Sequence, residues 1–274
     1  MVRKTSFIDV LKVIFLVLIA ISMLIPFYWV IISSFKSNND IYGHPFLLPR
    51  AFSFCSFSKA WNNALIGQSM ANSLLYSSIS VVMIIILSAM VAYVLVHVHP
   101  NKSLSLYFSF GLLIPIHAMI IPLNVLYRFM HIVNTRLGLI IAYTVSNLSL
   151  SIFLFVAVMI EIPKDLLNAA TIDGCDSYQI FWKIVLPLSR PGVATVGTFA
   201  FINCWNDLLL GMVFMTKKEL ETVNVAVSNL KASFSDDYSV LAAGMTCMII
   251  PSIVVYILFQ DQIIKGMTSG AIKG

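Results

Sequence analysis

Residues 203–207 read Asn-Cys-Trp-Asn-Asp inside a long apolar run. Asn203, Asn206 and Asp207 offer planar hydrogen-bonding groups and Trp205 offers a flat aromatic face. Together these are the side chains that recognise the hydroxyls and the ring faces of sugars. Asp207 is the ionisable group within this run, and on insertion scales such a group in lipid costs roughly 2.5–3.5 kcal/mol. It must therefore face a cavity or a partner. Two readings stand: the patch lines a translocation path, or it is a packing or interfacial contact near the outer end of a span. Tyr143, Asn147 and Asn124 are further candidates of the same kind. No catalytic constellation accompanies them. His44, His97, His99, His117 and His131 are dispersed, with His97 and His99 placed to be interfacial. Cys55, Cys175, Cys204 and Cys247 show neither CxxC spacing nor a nearby His pair. Neither a metal site nor a disulfide framework is expected. The chain has no HExxH and no Walker-type glycine loop, so it is not expected to bind ATP by that means.

The second candidate is a polar island at residues 162–191, IPKDLLNAATIDGCDSYQIFWKIVLPLSRP. Pro163 suits a helix start, and Leu166, Ala169 and Ala170 recur at helical spacing. Gly174 breaks this helix. A second amphipathic helix carries Tyr178, Phe181, Trp182, Ile184 and Val185 and is expected to stop at Pro187. Two short helices about a glycine elbow make either a helix lying on the membrane surface or a plug that docks a partner.

The elements that must hold these groups are transmembrane. Of 274 residues 59% are hydrophobic and only 11% charged, against about 25% charged in soluble domains. Mean hydropathy is +0.92. The net charge of +5 fits basic loops meeting lipid headgroups and is no nucleic-acid footprint. Apolar runs place six helical spans at about residues 13–32, 73–96, 106–126, 137–160, 193–214 and 240–259, each near the roughly 20 residues that cross a bilayer. The first is an uncleaved span rather than a signal peptide, because Pro26, Phe27, Tyr28 and Trp29 stand where a small-residue cleavage site would be. Pro115, His117 and Pro122 should kink the third. Residues 33–71 and 217–237 read as polar and charged loops, and residues 265–274 as a Gly-rich tail. Backbone satisfaction in lipid makes a single all-α domain the fold class. Basic residues divide almost evenly between the two sides. Arg3, Lys4 and Lys12 beside the first span place both termini, and with them the polar island, in the cytoplasm.

At the island the sequence resembles a known pattern. Asn168-Ala169-Ala170, then Asp173-Gly174, then Phe181, Ile184, Leu186 and Pro187 resemble the cytoplasmic EAA loop of ABC importer permeases. Asn168 stands where that family usually has Glu, which removes the acidic contact while leaving an amide acceptor. Pro26-Phe27 with Ser34-Phe35-Lys36, Asn72-Ser73-Leu74 and Trp205-Asn206-Asp207 resemble segments of the carbohydrate-uptake branch, the maltose-type G permeases. The ending from Lys265-Gly266 through Gly270 to Lys273 is similar to that branch's K-G-x-[ST]-x-G-A-x-K-G.

The resemblance implies a bacterial inner-membrane permease subunit with no enzymatic activity or cofactor of its own. It would pair with a second, related permease. A dimer of ATPase subunits, which would bind ATP and Mg, would dock on the loop through Asn168, Ala169, Ala170, Asp173, Gly174, Tyr178, Phe181, Ile184 and Pro187. The tail with Lys265, Gly266, Gly270 and Lys273 would lie along the ATPase interface. An extracellular solute-binding protein would deliver sugar, touching residues 217–237, to a path holding Asn203, Trp205, Asn206, Asp207, Tyr143 and Asn147. The competing class, a self-sufficient secondary transporter or channel, would need internal repeats or a relay of ionisable groups beyond Asp207.

Overall fold

A computed structural model describes residues 7–63, 65–233 and 237–271. The described residues are helices joined by turns, without a strand. In order they are α1 (Phe7–Ser33), α2 (Asn38–Gly43), α3 (Cys55–Asn63) and α4 (Ile66–Tyr93), the last running on into a π turn, Val94–Val98. Next come α5 (Lys102–Phe110) with a 3-10 turn Gly111–Leu113, α6 (Ile116–Phe129), α7 (Arg136–Met159) and α8 (Lys164–Ile172). Then α9 (Ser177–Ile180) passes through a π turn, Phe181–Val185, into α10 (Leu186–Leu188) and α11 (Arg190–Asn206). The chain ends with α12 (Leu209–Phe214), α13 (Val223–Ser233) and α14 (Tyr238–Ala271).

Among the described residues, four stretches are long and apolar enough to cross a membrane: Phe7–Ser33, Ile66–Val98, Arg136–Met159 and Tyr238–Asp261. Two bent pairs raise the number to six if each is one span. Lys102–Leu113 meets Ile116–Phe129 at 94°, and Ser177–Leu188 meets Arg190–Asn206 at 77°. The first break is sharper than the expected kink. Ile114 (φ −79°, ψ 112°) precedes Pro115 and is extended, the conformation that a following proline imposes. The span expected at 193–214 is not continuous either. It starts at Arg190, halts at Asn206, and resumes as the short α12 after Asp207, which is extended at φ −66°, ψ 132°.

The described residues fall into two compact units. The first comprises Met1–Gly67 and Ala226–Ile249. There Phe35 lies among Phe52, Phe54 and Phe57 at ring distances of 5.7, 5.4 and 5.2 Å. Ser37 caps α2 by accepting the Asp40 N–H, and Lys59 pairs with Asp237 at 3.2 Å. The second comprises Gln68–Val225 and Ile250–Gly274. Its core joins Tyr76, Ile84 and Ala89 of α4, Leu139, Tyr143, Phe155 and Met159 of α7, and Val196, Ala200 and Cys204 of α11.

Residues 217–237, expected as a charged loop, hold α13. Val223, Val225, Val227 and Leu230 are buried, and the charges at Lys217, Lys218, Glu219 and Glu221 cluster ahead of the helix. The expected tail is also helical as far as Ala271, so Lys265, Gly266 and Gly270 belong to α14. Lys273 lies outside the described residues.

Candidate functional site

The polar island folds as an elbow built from local rules. Pro163 (φ −62°) is the N-cap of α8, and Asp165 in the first turn complements the helix dipole. At the other end Asp173 is the C-cap. Gly174 N–H donates to Thr171 O at 3.1 Å and Cys175 N–H to Ala170 O at 2.9 Å. That pair of bonds, with Gly174 at φ +84°, is a Schellman termination, which needs a left-handed residue at the position glycine occupies. The next helix is nucleated two residues later. Asp176 Oδ1 accepts the Gln179 N–H at 2.7 Å while Gln179 Oε1 accepts the Asp176 N–H at 3.3 Å, a capping box.

The second helix ends at Leu188, one residue past Pro187, where the chain bends into α11. In the π turn the Leu186 N–H reaches back five residues to Phe181 O. The widened turn admits the proline ring, and Ser189 N–H resumes bonding to Val185 O at 2.9 Å. The stretch 178–185 does not present one outward apolar face. Ile180, Phe181 and Val185 are buried, and the Phe181 ring sits 5.5 Å from Tyr93 and 5.0 Å from Trp182. Apolar positions spaced 180, 181, 184 and 185 share one side of a helix, and here that side packs on the chain's own core. Ala170 is buried likewise and Ile184 half-buried. The outward surface is Asn168, Ala169, Ile172, Asp173, Gly174, Tyr178 and Pro187, with Ile172 86% and Tyr178 67% exposed. His97 is not part of it. Its Nε2 meets Met159 O at 3.0 Å and ties the end of α4 to the end of α7 just before the elbow.

The second group surrounds the break between α11 and α12. A cleft of about 390 Å³ is lined by His117, Ile202, Asn203, Asn206, Asp207, Leu208 and Leu209. The Asp207 carboxylate accepts Leu210 N–H at 3.3 Å, Gly211 N–H at 3.0 Å and the Tyr143 hydroxyl at 3.2 Å. It thus caps α12 and pins it to α7, so packing and lining are both true of this residue. Asn203 donates to Asn147 Oδ1 at 3.0 Å, and Ser252 donates to Asn206 Oδ1 at 3.1 Å.

Three of the six expected path residues stand behind the cleft. Trp205 is fully buried and stacks on Phe201 at 5.8 Å, so its ring offers no face to a solute. Tyr143 and Asn147 are buried and act as supports. Asn124 donates to Val213 O at 3.4 Å and accepts from Arg128 Nε at 2.7 Å.

Two residues here were not legible in the sequence. Asn224 donates to the carbonyls of Trp205 and Asp207, which the helix break would otherwise leave open. Asn134, left-handed at φ 58°, accepts Thr216 N–H at 2.7 Å, Thr216 O–H at 3.1 Å and Lys217 N–H at 3.2 Å. Its own N–H donates to Phe214 O at 2.9 Å. The short α12 is therefore fastened at both ends, to Tyr143 of α7 and to the turn ahead of α7. For Asn134 the available signal was residue type, since Asn tolerates left-handed geometry. For Asn224 there was none.

Comparison with known proteins places this geometry. Residues 84–269 match the family described as binding-protein-dependent transport system inner membrane component. The diacetylchitobiose uptake system permease protein NgcG of Streptomyces coelicolor is 31% identical over 262 residues, covering 94% of this chain and 87% of that protein. The trehalose transport system permease protein SugB of Mycobacterium tuberculosis is 34% identical, covering 92% and 93%. Among solved structures, a bacterial ABC transporter involved in import of the acidic polysaccharide alginate superposes with a TM-score of 0.83 at 23% identity. That likeness covers 95% of this chain and 98% of the other.

Proposed function

The chain belongs to the binding-protein-dependent transport system inner membrane components, and from that premise we propose that it is one permease half of an ATP-driven sugar importer. A second, related permease completes the path. A solute-binding protein delivers the sugar on one side, and separate ATPase subunits bind ATP and Mg on the other. Both termini and the elbow face the cytoplasm, and the bent pair Lys102–Leu113 with Ile116–Phe129 and the broken run of α11 and α12 complete six crossings.

The observation that carries the sugar reading is that relatives named for diacetylchitobiose and trehalose match over nine-tenths of the chain. The geometry supports a division of labour. The elbow is rigid, with its buried side anchored in the chain's own core. ATPase closure acting on Asn168, Asp173 and Tyr178 is then transmitted to α7 and α11 as a rigid-body movement. The tail with Lys265, Gly266, Gly270 and Lys273 runs along the ATPase interface. At the other site Asn203, Asn206 and Asp207 line the solute path, while Trp205, Tyr143 and Asn147 hold them.

The test is uptake of a panel of labelled neutral oligosaccharides, monosaccharides and polyols in a strain lacking this chain. Restoration of one class by the chain, lost when the ATPase gene is removed, is the expected result. Uptake that survives loss of the ATPase overturns the reading in favour of a self-sufficient carrier.

A further inference from the structure

The cleft at the break between α11 and α12 has a charge pattern as well as a shape. Its polar lining is His117, Asn203, Asn206 and Asp207, with neither Lys nor Arg among the described lining residues. Asn203 and Asn206 are exposed and Asp207 is half-buried. Neighbours fix how these groups are presented. Asn203 Nδ2 donates to Asn147 Oδ1 at 3.0 Å, which leaves its own Oδ1 as an acceptor. Asn206 Oδ1 accepts the Ser252 hydroxyl at 3.1 Å, which leaves its Nδ2 as a donor. On Asp207, Oδ2 accepts Gly211 N–H and the Tyr143 hydroxyl, while Oδ1 accepts Leu210 N–H at 3.3 Å. A carboxylate oxygen accepts about two such bonds, so Oδ1 keeps a place for a solute donor.

These groups add up to a negative site. α11 runs for 17 residues and ends at Asn206 with no basic side chain in its last turn. The C-terminal end of such a helix carries a partial negative charge. Asp207 follows at once with a full one. The N–H groups that open α12 offset part of it, and they are already bonded to that carboxylate. A sugar hydroxyl both donates and accepts, so it meets Asn203 Oδ1, Asn206 Nδ2 and Asp207 Oδ1 without conflict. An ammonium donates to two of the three. An ionised carboxylate or sulfonate only accepts. Its donors here are Asn206 Nδ2 and the His117 ring, with the like charge of Asp207 beside them. The remaining lining, Ile202, Leu208 and Leu209, is apolar and suits the C–H faces of a sugar ring.

We propose that this cleft selects by charge: it passes uncharged and amino-bearing sugars and turns back those with an ionised carboxylate or sulfonate, Asp207 being the residue that sets the preference. The inference rests on the cleft being part of the sugar path, as proposed above, and adds the class of sugar that the path admits.

The test uses the whole transporter in nanodiscs of phosphatidylcholine at low salt, where screening is least. Cys55, Cys175, Cys204 and Cys247 are replaced, and Leu209→Cys places a thiol on the cleft lining. Its rates of modification by a trimethylammonium and by a sulfonate methanethiosulfonate are each divided by the rate for free cysteine. At about 4–8 Å from a carboxylate in watery surroundings, the cationic reagent is favoured by roughly five- to thirty-fold. That bias is expected, and Asp207→Asn should remove most of it. His117→Gln takes away the lining group that can become cationic and should keep the bias. Ile202→Cys is a second reporter should Leu209→Cys fail to assemble. Equal corrected rates, a bias that survives Asp207→Asn or is lost with His117→Gln, or a thiol that neither reagent reaches overturns the proposal. So does ATP-driven uptake of an oligouronate as fast as that of a neutral sugar. The bias is read without ATP, binding protein or sugar, so the two readings fail separately. A bias without ATP-driven sugar uptake sinks the permease reading, and uptake without a bias sinks the charge preference alone.

Discussion

The sharpest consequence of the elbow concerns Gly174. Its φ of +84° lies in the left-handed region, and a Cβ built there meets nothing within 4 Å. A substitution is therefore free of clashes, and its cost is the backbone conformer alone. For Ala that cost is about 1–2 kcal/mol, a factor of roughly 5 to 30 against the elbow geometry. Asn, which visits this region readily, should cost less. Proline holds φ near −65°, and it also removes the Gly174 N–H that donates to Thr171 O at 3.1 Å. It should abolish the Schellman end outright. The assay is equilibrium binding of the purified ATPase subunits to the permease pair in nanodiscs, with transport measured alongside. Affinity should fall in the order Gly, Asn, Ala, Pro. Equal binding by the Gly, Ala and Pro forms would refute the elbow as the docking geometry. Loss in the Asn form as severe as in the Pro form would show that bareness at position 174, not its conformer, is what the ATPase reads.

Other perturbations separate the remaining supports. Asp207→Ala removes the acceptor for three donors, and at about 1–3 kcal/mol for a buried unmet group it should lower the melting temperature of the complex and its uptake. Asp207→Asn keeps an acceptor and should be milder; equal damage from both would point to the charge itself. Asn134→Gly permits φ 58° but drops the clamp on Thr216 and Lys217, whereas Asn134→Asp retains the accepting oxygen. Transport should survive Asp better than Gly, and the reverse order would make backbone freedom the important property. Partial burial alone would raise the Asp237 carboxyl, but the Ser239 hydroxyl, the Lys59 ammonium and the Val240 N–H outweigh it and hold it below its usual value. A depressed folded value contributes stability above the unfolded value near 3.9, lost as pH falls through the folded one. For this half-exposed pair the contribution is about 0.2–1 kcal/mol. A Lys59→Met variant should therefore flatten the acid limb of a thermal-stability profile slightly and leave the neutral limb nearly parallel.

What could be read beforehand was what is local. Pro163, the Ala169-Ala170 spacing and Gly174 announce a helix and its end within a dozen residues, and the structure places both there. Pro187 marked the helix end to within one residue, whereas the π turn just ahead of it is a matter of hydrogen-bond register, which composition does not display. Residues 217–237 looked like a loop because four charges precede a Val-Asn-Val-Ala-Val run that alternates like a strand. Burial of that run, with Asn224 reaching back to Trp205 and Asp207, makes it α13. The need for Asp207 to find a partner was legible from its cost in lipid. That the partner would be Tyr143, together with the start of α12, depends on contact across 64 positions. Burial, with its ring stacked on Phe201 one turn back, turned Trp205 from an expected stacking face into a core residue.

The most direct measurement is ATP-dependent uptake in proteoliposomes that hold this chain, its partner permease and the ATPase subunits, with the binding protein supplied outside the lumen that receives sugar. The account requires accumulation of labelled sugar only when ATP, the binding protein and both permeases are present, and its loss with Gly174→Pro despite intact insertion. Sugar movement by this chain alone, or accumulation unchanged without ATP, would contradict it.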